Sequence, residues 1–127
     1  MPSDKPLIIL IDDDETLIDM YSTKLRLSGF TVLTANNGNE GFNVVSVNTP
    51  NLVLTDLVMP ESDGFELLRK IKNDKRTKDF ATVALTNLSS ESDKKEALKL
   101  GAIDYLVKSN YTPAQIVEKV RGYLGIS

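Results

Sequence analysis

Five short apolar runs, Leu7–Ile11, Val32–Ala35, Leu52–Thr55, Thr82–Thr86 and Tyr105–Val107, set the terms on which this chain can fold. Most are continuously apolar rather than alternating, the pattern of parallel strands covered on both faces. Parallel neighbours need a crossover between them, and every gap holds a segment of helical period. Leu17, Ile18, Tyr21 and Leu25 make one apolar face, closed by Gly29. Phe42, Val44 and Val45 mark a second helix after Asn36-Asn37-Gly38. A third runs from about Gly64 with Phe65, Leu68 and Ile71 inward. A fourth opens at Ser90, turns Ala97 and Leu100 inward and stops at Gly101. The fifth has the fullest start signal: Thr112-Pro113-Ala114-Gln115 joins an N-cap hydroxyl, a first-turn proline and a capping-box glutamine, ahead of Ile116, Val120 and Leu124. Five β-α pairs predict one α/β domain over residues 1–127, its core at about 6–125, with a five-stranded parallel sheet and helices on both faces.

What such a domain can do is bounded by what it lacks. The 127 residues contain no cysteine and no histidine. That removes disulfides, thiolate chemistry, Ser-His-Asp triads, His-ligated metals and a phosphohistidine carried by the chain itself. Chemistry here must run on carboxylates, hydroxyls, lysine and a hard cation. A formal net charge of −3 argues against a broad nucleic-acid footprint. No apolar run approaches the roughly 20 residues that span a bilayer, and no signal peptide opens the chain. The expectation is a cytoplasmic protein with no membrane or direct nucleic-acid partner.

In open parallel sheets, ligands bind at the carboxyl ends of the strands. Those ends carry Asp12-Asp13-Asp14, Asp56, Thr86 and Lys108. A lone Asp after a strand is most often a turn or cap residue, a lone Thr satisfies its own backbone, and a lone Lys is solvated. Four such groups at one edge are a different matter. Converging carboxylates at Asp12, Asp13 and Asp56 invite a divalent cation such as Mg²⁺, which favours oxygen ligands and offsets their repulsion. Asp14 and Glu15 are better read as the cap and first-turn charge of the helix that follows.

These residues carry a resemblance. Over roughly residues 6–125 the pattern resembles the receiver domain of two-component response regulators, of the stand-alone chemotaxis-receiver kind. The family's acidic pair matches Asp12 and Asp13. Its phosphoacceptor matches Asp56 in LVLTDLVMPESDGFELL, with the Met59-Pro60 turn and the Asp63-Gly64 helix start in place. Its hydroxyl matches Thr86 in VALT, its switch aromatic Tyr105, and its lysine Lys108 in GAIDYLVKS. The resemblance implies a flavodoxin-like fold with strand order 2-1-3-4-5. It also implies that Asp56 accepts a phosphoryl group, becoming an aspartyl phosphate, from a partner histidine kinase or histidine phosphotransfer protein. Mg²⁺ would be held by Asp13, Asp56 and the Val58 carbonyl, with Asp12 acting through water. Lys108 and Thr86 would contact phosphoryl oxygens. Tyr105 would then turn inward and change the surface of helix 4, strand 5 and helix 5 for a protein partner, the chain being a monomer or a weak dimer on activation. Such a protein is a switch and not a turnover enzyme. No output region follows Leu124 in this sequence, so a chain of this extent is expected to act by binding another protein.

Two other readings use the same residues. Asp12-Asp13-Asp14-Glu15-Thr16 satisfies the D-x-D-x-T motif of haloacid-dehalogenase-type phosphatases, with Asp12 as nucleophile. That class needs acidic metal ligands beyond the lysine, and only Glu118 follows Lys108. A receiver fold that docks without phosphorylation would leave the acidic set, Thr86 and Lys108 without a purpose. An EF-hand fails at Leu17, where glycine is required. The basic cluster Arg69, Lys70, Lys72, Lys75, Arg76 and Lys78 is interrupted by Asp74 and Asp79 and reads as a solvated face.

The chain departs from the family pattern after the lysine and around the threonine. Ser109 replaces the usual proline, and a cis bond to a non-proline residue costs about 3–4 kcal/mol, so Lys108–Ser109 is expected to be trans. Asn87 and Leu88 follow Thr86. By resemblance, residues 58 and 88 flank the path of the hydrolytic water, and neither Val58 nor Leu88 can hold one, which predicts slow loss of the phosphoryl group.

Overall fold

The structure, a computed structural model, describes residues 5–60 and 62–126; the expected 1–127 span extends beyond the described residues at both ends. Five strands, β1 Leu7–Ile11, β2 Thr31–Ala35, β3 Leu52–Thr55, β4 Thr82–Thr86 and β5 Asp104–Val107, form one parallel sheet in the order β2-β1-β3-β4-β5. Helices α1 Glu15–Leu27, α2 Gly38–Ser46, α3 Gly64–Asn73, α4 Glu91–Lys99 and α5 Pro113–Leu124 supply the crossovers. The expected strand order and helix count stand. Two strands begin one residue earlier than the apolar runs suggest, because Thr31 pairs with Leu7 and Asp104 with Val83.

The pleat sends alternate residues to two separate cores. Ile8 and Leu10 of β1, with Leu52 and Leu54 of β3, pack beneath α1 and α5 through Ile18, Tyr21, Leu25, Ile116, Val117 and Val120. Ile9, Ile11 and Val53 face the other way, against Val45 of α2 and Leu67 and Ile71 of α3. Towards β5, Ala84, Ala97, Ala102 and Tyr105 pack with Leu68 under α3 and α4. Each fully buried aliphatic side chain contributes about 1.5–3 kcal/mol by leaving water. These two layers hold the sheet edge rigid, which matters because every functional group sits there.

Every helix begins at that edge, and a short polar side chain caps each start. Asp14 accepts the N–H groups of Thr16 and Leu17, Asn37 that of Glu40, Asp63 that of Phe65, and Ser90 that of Asp93. Thr112 and Gln115 close the expected capping box on α5. α1 and α4 end on Gly29 (φ 101°) and Gly101 (φ 112°), in the left-handed region that glycine enters without steric cost. Two local features lie outside the sequence pattern. Val58–Met59 and Ser62–Asp63 pair as a small antiparallel ribbon after β3, and Lys108–Asn110 form one turn of 3₁₀ helix after β5. The described residues contain no cis peptide bond, so Lys108–Ser109 is trans as expected.

Candidate functional site

Because β1, β3, β4 and β5 are contiguous in the sheet, the residues leaving their carboxyl ends converge. Asp12 and Asp13 leave β1, Asp56 leaves β3, Thr86 closes β4, and Lys108 leaves β5. Asp12, Asp56 and Lys108 are 1%, 6% and 8% exposed, so three charged groups are held nearly dry. They are paired: Lys108 Nζ stands 2.6 Å from Asp12 Oδ2 and 2.8 Å from Asp56 Oδ2. The second oxygens are also engaged. Asp12 Oδ1 accepts the Asp14 N–H at 3.0 Å, and Asp56 Oδ1 accepts those of Leu57 at 2.7 Å and Val58 at 3.2 Å.

Burial pushes the Asp12 carboxyl above its ordinary range, with Lys108 and the Asp14 N–H working against that rise. Burial works against the Lys108 ammonium as well, but its bonds to Asp12 and Asp56 prevail and hold its pKa above the usual lysine value. The ammonium therefore stays charged between the two acids.

Asp13 is exposed and completes the cluster: carboxylate oxygens of Asp12, Asp13 and Asp56 all lie within 4.8 Å of one another. Three carboxylates against one ammonium leave two negative charges, and an all-oxygen donor set suits a hard divalent ion. The residues present fit Mg²⁺. Val58 borders the cluster through its N–H bond to Asp56, and the residue is 56% exposed.

Thr86 is fully buried beside this cluster but makes no hydrogen bond to Asp56 among the described residues. Its Oγ1 accepts the Leu88 N–H at 3.3 Å, and the Leu88 carbonyl in turn accepts the Tyr105 hydroxyl at 2.8 Å. The Tyr105 ring lies inward at 7% exposure, because small residues (Ala84, Ala97 and Ala102) leave room for it. Asp104, absent from the sequence-derived site, accepts the Tyr105 N–H at 2.8 Å and the Tyr123 hydroxyl. Burial and that bond hold the Tyr123 phenol well above its usual range. The basic cluster is exposed, and its two arginines are paired, Arg69 with Glu66 and Arg76 with Asp74 at 2.9 Å.

The response regulator receiver domain family model matches residues 8–121. The chain belongs to the response regulator receiver domain family. Among curated relatives of this receiver domain, the DNA-binding dual master transcriptional regulator RpaA of Synechocystis sp. is 34% identical over 119 residues, covering 94% of this chain and 49% of the relative. The phosphate regulon transcriptional regulatory protein PhoB of Pseudomonas aeruginosa is 31% identical over 117 residues, covering 92% and 51%. The chain thus spans about half the length of the curated relatives it matches. Among solved structures, a CheY-like response regulator receiver domain protein from Methanospirillum hungatei superposes with a TM-score of 0.88 at 27% identity, covering 96% of this chain and 95% of that one. A putative response regulator from Chloroflexus aurantiacus superposes with a TM-score of 0.87 at 29% identity, covering 96% and 99%. The receiver domain is a signalling module of two-component systems. No helix among its described residues is long and apolar enough to cross a membrane.

Proposed function

We propose that this receiver domain accepts a phosphoryl group on Asp56 from a phosphohistidine of a partner histidine kinase or phosphotransfer protein. One observation carries this reading: Asp56 lies at the sheet edge with one oxygen on Lys108 at 2.8 Å and its carboxylate clustered with those of Asp12 and Asp13. In the transfer, an Asp56 oxygen forms the new O–P bond as the donor's N–P bond breaks, and the imidazole leaves with that electron pair. Asp13, Asp56 and the Val58 carbonyl would hold Mg²⁺, with Asp12 acting through water, and the ion would supply positive charge against the transferring group. Lys108 exchanges its bond to Asp56 for one to a phosphoryl oxygen. Thr86 donates to another; a hydroxyl accepts and donates at once, so its bond from Leu88 does not consume its proton.

Asp12 is more deeply buried than Asp56, at 1% against 6% exposure, which makes it the harder of the two for a donor to reach. Incubation with acetyl phosphate and Mg²⁺ separates the readings. Label on wild type that maps to Asp56 and vanishes in Asp56→Asn supports the receiver. Label at Asp12 would favour a phosphatase-type site, and no label on either protein a docking module.

The output follows from the chain of bonds Thr86–Leu88–Tyr105. A phosphoryl group that draws the Thr86 hydroxyl shifts Leu88, and with it the Tyr105 anchor. The phosphoryl group thereby biases an equilibrium between arrangements of α4, β5 and α5. That surface engages a protein partner, whether in another chain or in a region joined to this one; the transcriptional regulators RpaA and PhoB are about twice this length.

The signal should be long-lived. In receiver domains the residues two beyond the acceptor and two beyond the threonine flank the approach of the water; here these are the apolar Val58 and Leu88, so the attacking water would be ordered without a hydrogen-bonding residue. Val58→Asn with Leu88→Glu is expected to speed loss of the phosphoryl group about tenfold. An unchanged half-life of the labelled double variant would remove water positioning as the control.

A further inference from the structure

Thr55 ends β3 with its side chain fully buried, and it pairs with Ile11 on the face that also carries Ile9 and Val53. Valine would fill this space as well, and a hydroxyl buried among aliphatic groups is costly unless it is hydrogen-bonded. The Thr55 hydroxyl donates to the carbonyl oxygen of Asp56 at 2.9 Å. That carbonyl belongs to the Asp56–Leu57 peptide, whose N–H donates to Asp56 Oδ1 at 2.7 Å. One peptide plane is therefore tied at both ends, to Thr55 behind the sheet edge and to the reactive carboxylate in front. Gly64, the first residue of α3, presses on the same plane: a Cβ there would stand 2.5 Å from the Asp56 carbonyl oxygen and 2.4 Å from Leu57 Cα.

We infer that Thr55 is a positioning residue for Asp56, fixing through the Asp56–Leu57 peptide the direction in which the carboxylate presents its second oxygen. The inference rests on Asp56 being the phosphoacceptor. With Oδ1 held by the Leu57 and Val58 N–H groups, the carboxylate cannot spin about its last bond, and Oδ2 stays directed at Lys108. Without the Thr55 hydroxyl the peptide tilts, the Leu57 bond lengthens, and the attacking oxygen spends less time in line. Misplacement of reacting atoms by about 1 Å costs on the order of a hundredfold in rate, and a partial loss of alignment proportionately less. Thr55 itself contacts neither donor nor cation.

The test compares Thr55→Val, Thr55→Ala and Thr55→Ser with wild type. Valine keeps the volume, alanine removes the hydroxyl with no added bulk, and serine keeps the hydroxyl. With acetyl phosphate and Mg²⁺, the acetyl oxygen–phosphorus bond breaks as the Asp56 O–P bond forms, and acetate leaves. The valine and alanine variants should be labelled about tenfold more slowly, and the serine variant at close to the wild-type rate. A second readout is the Leu57 amide proton in a ¹H–¹⁵N spectrum, which a short bond to a carboxylate moves downfield. It should shift upfield in the valine and alanine variants and stay in place with serine, whereas a purely structural role would change the melting temperature and leave this resonance alone. Equal labelling rates and an unmoved Leu57 amide across the series would overturn the role of Thr55 while leaving Asp56 as acceptor. Absence of label on wild type would take down both.

Discussion

Replacing Asp13 with alanine should abolish Mg²⁺ binding and labelling of Asp56 while making the metal-free protein slightly more stable. Asp12 and Asp56 already share the Lys108 ammonium, whereas Asp13 forms no ion pair among the described residues. It therefore carries the charge that a divalent ion would neutralise, and in metal-free buffer it only repels its neighbours. Removing it leaves one net negative charge and one fewer ligand, too little to dehydrate Mg²⁺. The relief of repulsion at an exposed position is worth about 0.2–1 kcal/mol, readable in urea unfolding without metal. Labelling with acetyl phosphate and Mg²⁺ gives the functional half. Full labelling of Asp13→Ala would show that the metal assignment is wrong.

Lys108→Met has the opposite signature. Methionine preserves much of the stem's packing but leaves two nearly buried carboxylates without their cation. Removing one partner of a buried ion pair costs about 3–5 kcal/mol; water enters this edge beside exposed Asp13, so about 3 kcal/mol is expected in metal-free buffer. Millimolar Mg²⁺ should recover part of that loss, because the ion no longer meets an ammonium across the carboxylates, and its affinity for the unphosphorylated protein should rise. Urea unfolding with and without Mg²⁺ measures both effects. A metal-free midpoint equal to wild type would mean that the lysine neutralises nothing the fold depends on.

The fold was legible because its signals are local. Continuous apolar runs and the polar caps Asp14 and Thr112 are written in neighbouring residues, and all of them reappear in the structure. The missed strand starts, Thr31 and Asp104, are polar residues recruited by backbone pairing, which takes no notice of side-chain polarity. Convergence of Asp12, Asp56 and Lys108 could be anticipated from strand ends, but not that one ammonium would span both acids. The inward Tyr105 depends on the space left by Ala84, Ala97 and Ala102, residues separated in sequence and brought together only in three dimensions. Thr55 was hidden for the reverse reason: in an apolar run a threonine looks like one more β-branched residue, and its donor role appears only when the Asp56 carbonyl is seen next to it.

Leu88 joins Thr86 to Tyr105 entirely through its main chain, N–H on one side and carbonyl on the other. Its side chain makes none of those hydrogen bonds and packs against the cluster around Tyr105, beside the path proposed for the hydrolytic water. Duration and message thus fall to different atoms of one residue. Substitution at position 88 by a residue that still packs against the Tyr105 cluster can lengthen or shorten memory while leaving both main-chain bonds in place, proline excepted because it lacks the N–H. A protein arranged in this way can drift towards faster or slower pathways one mutation at a time without first losing the ability to report.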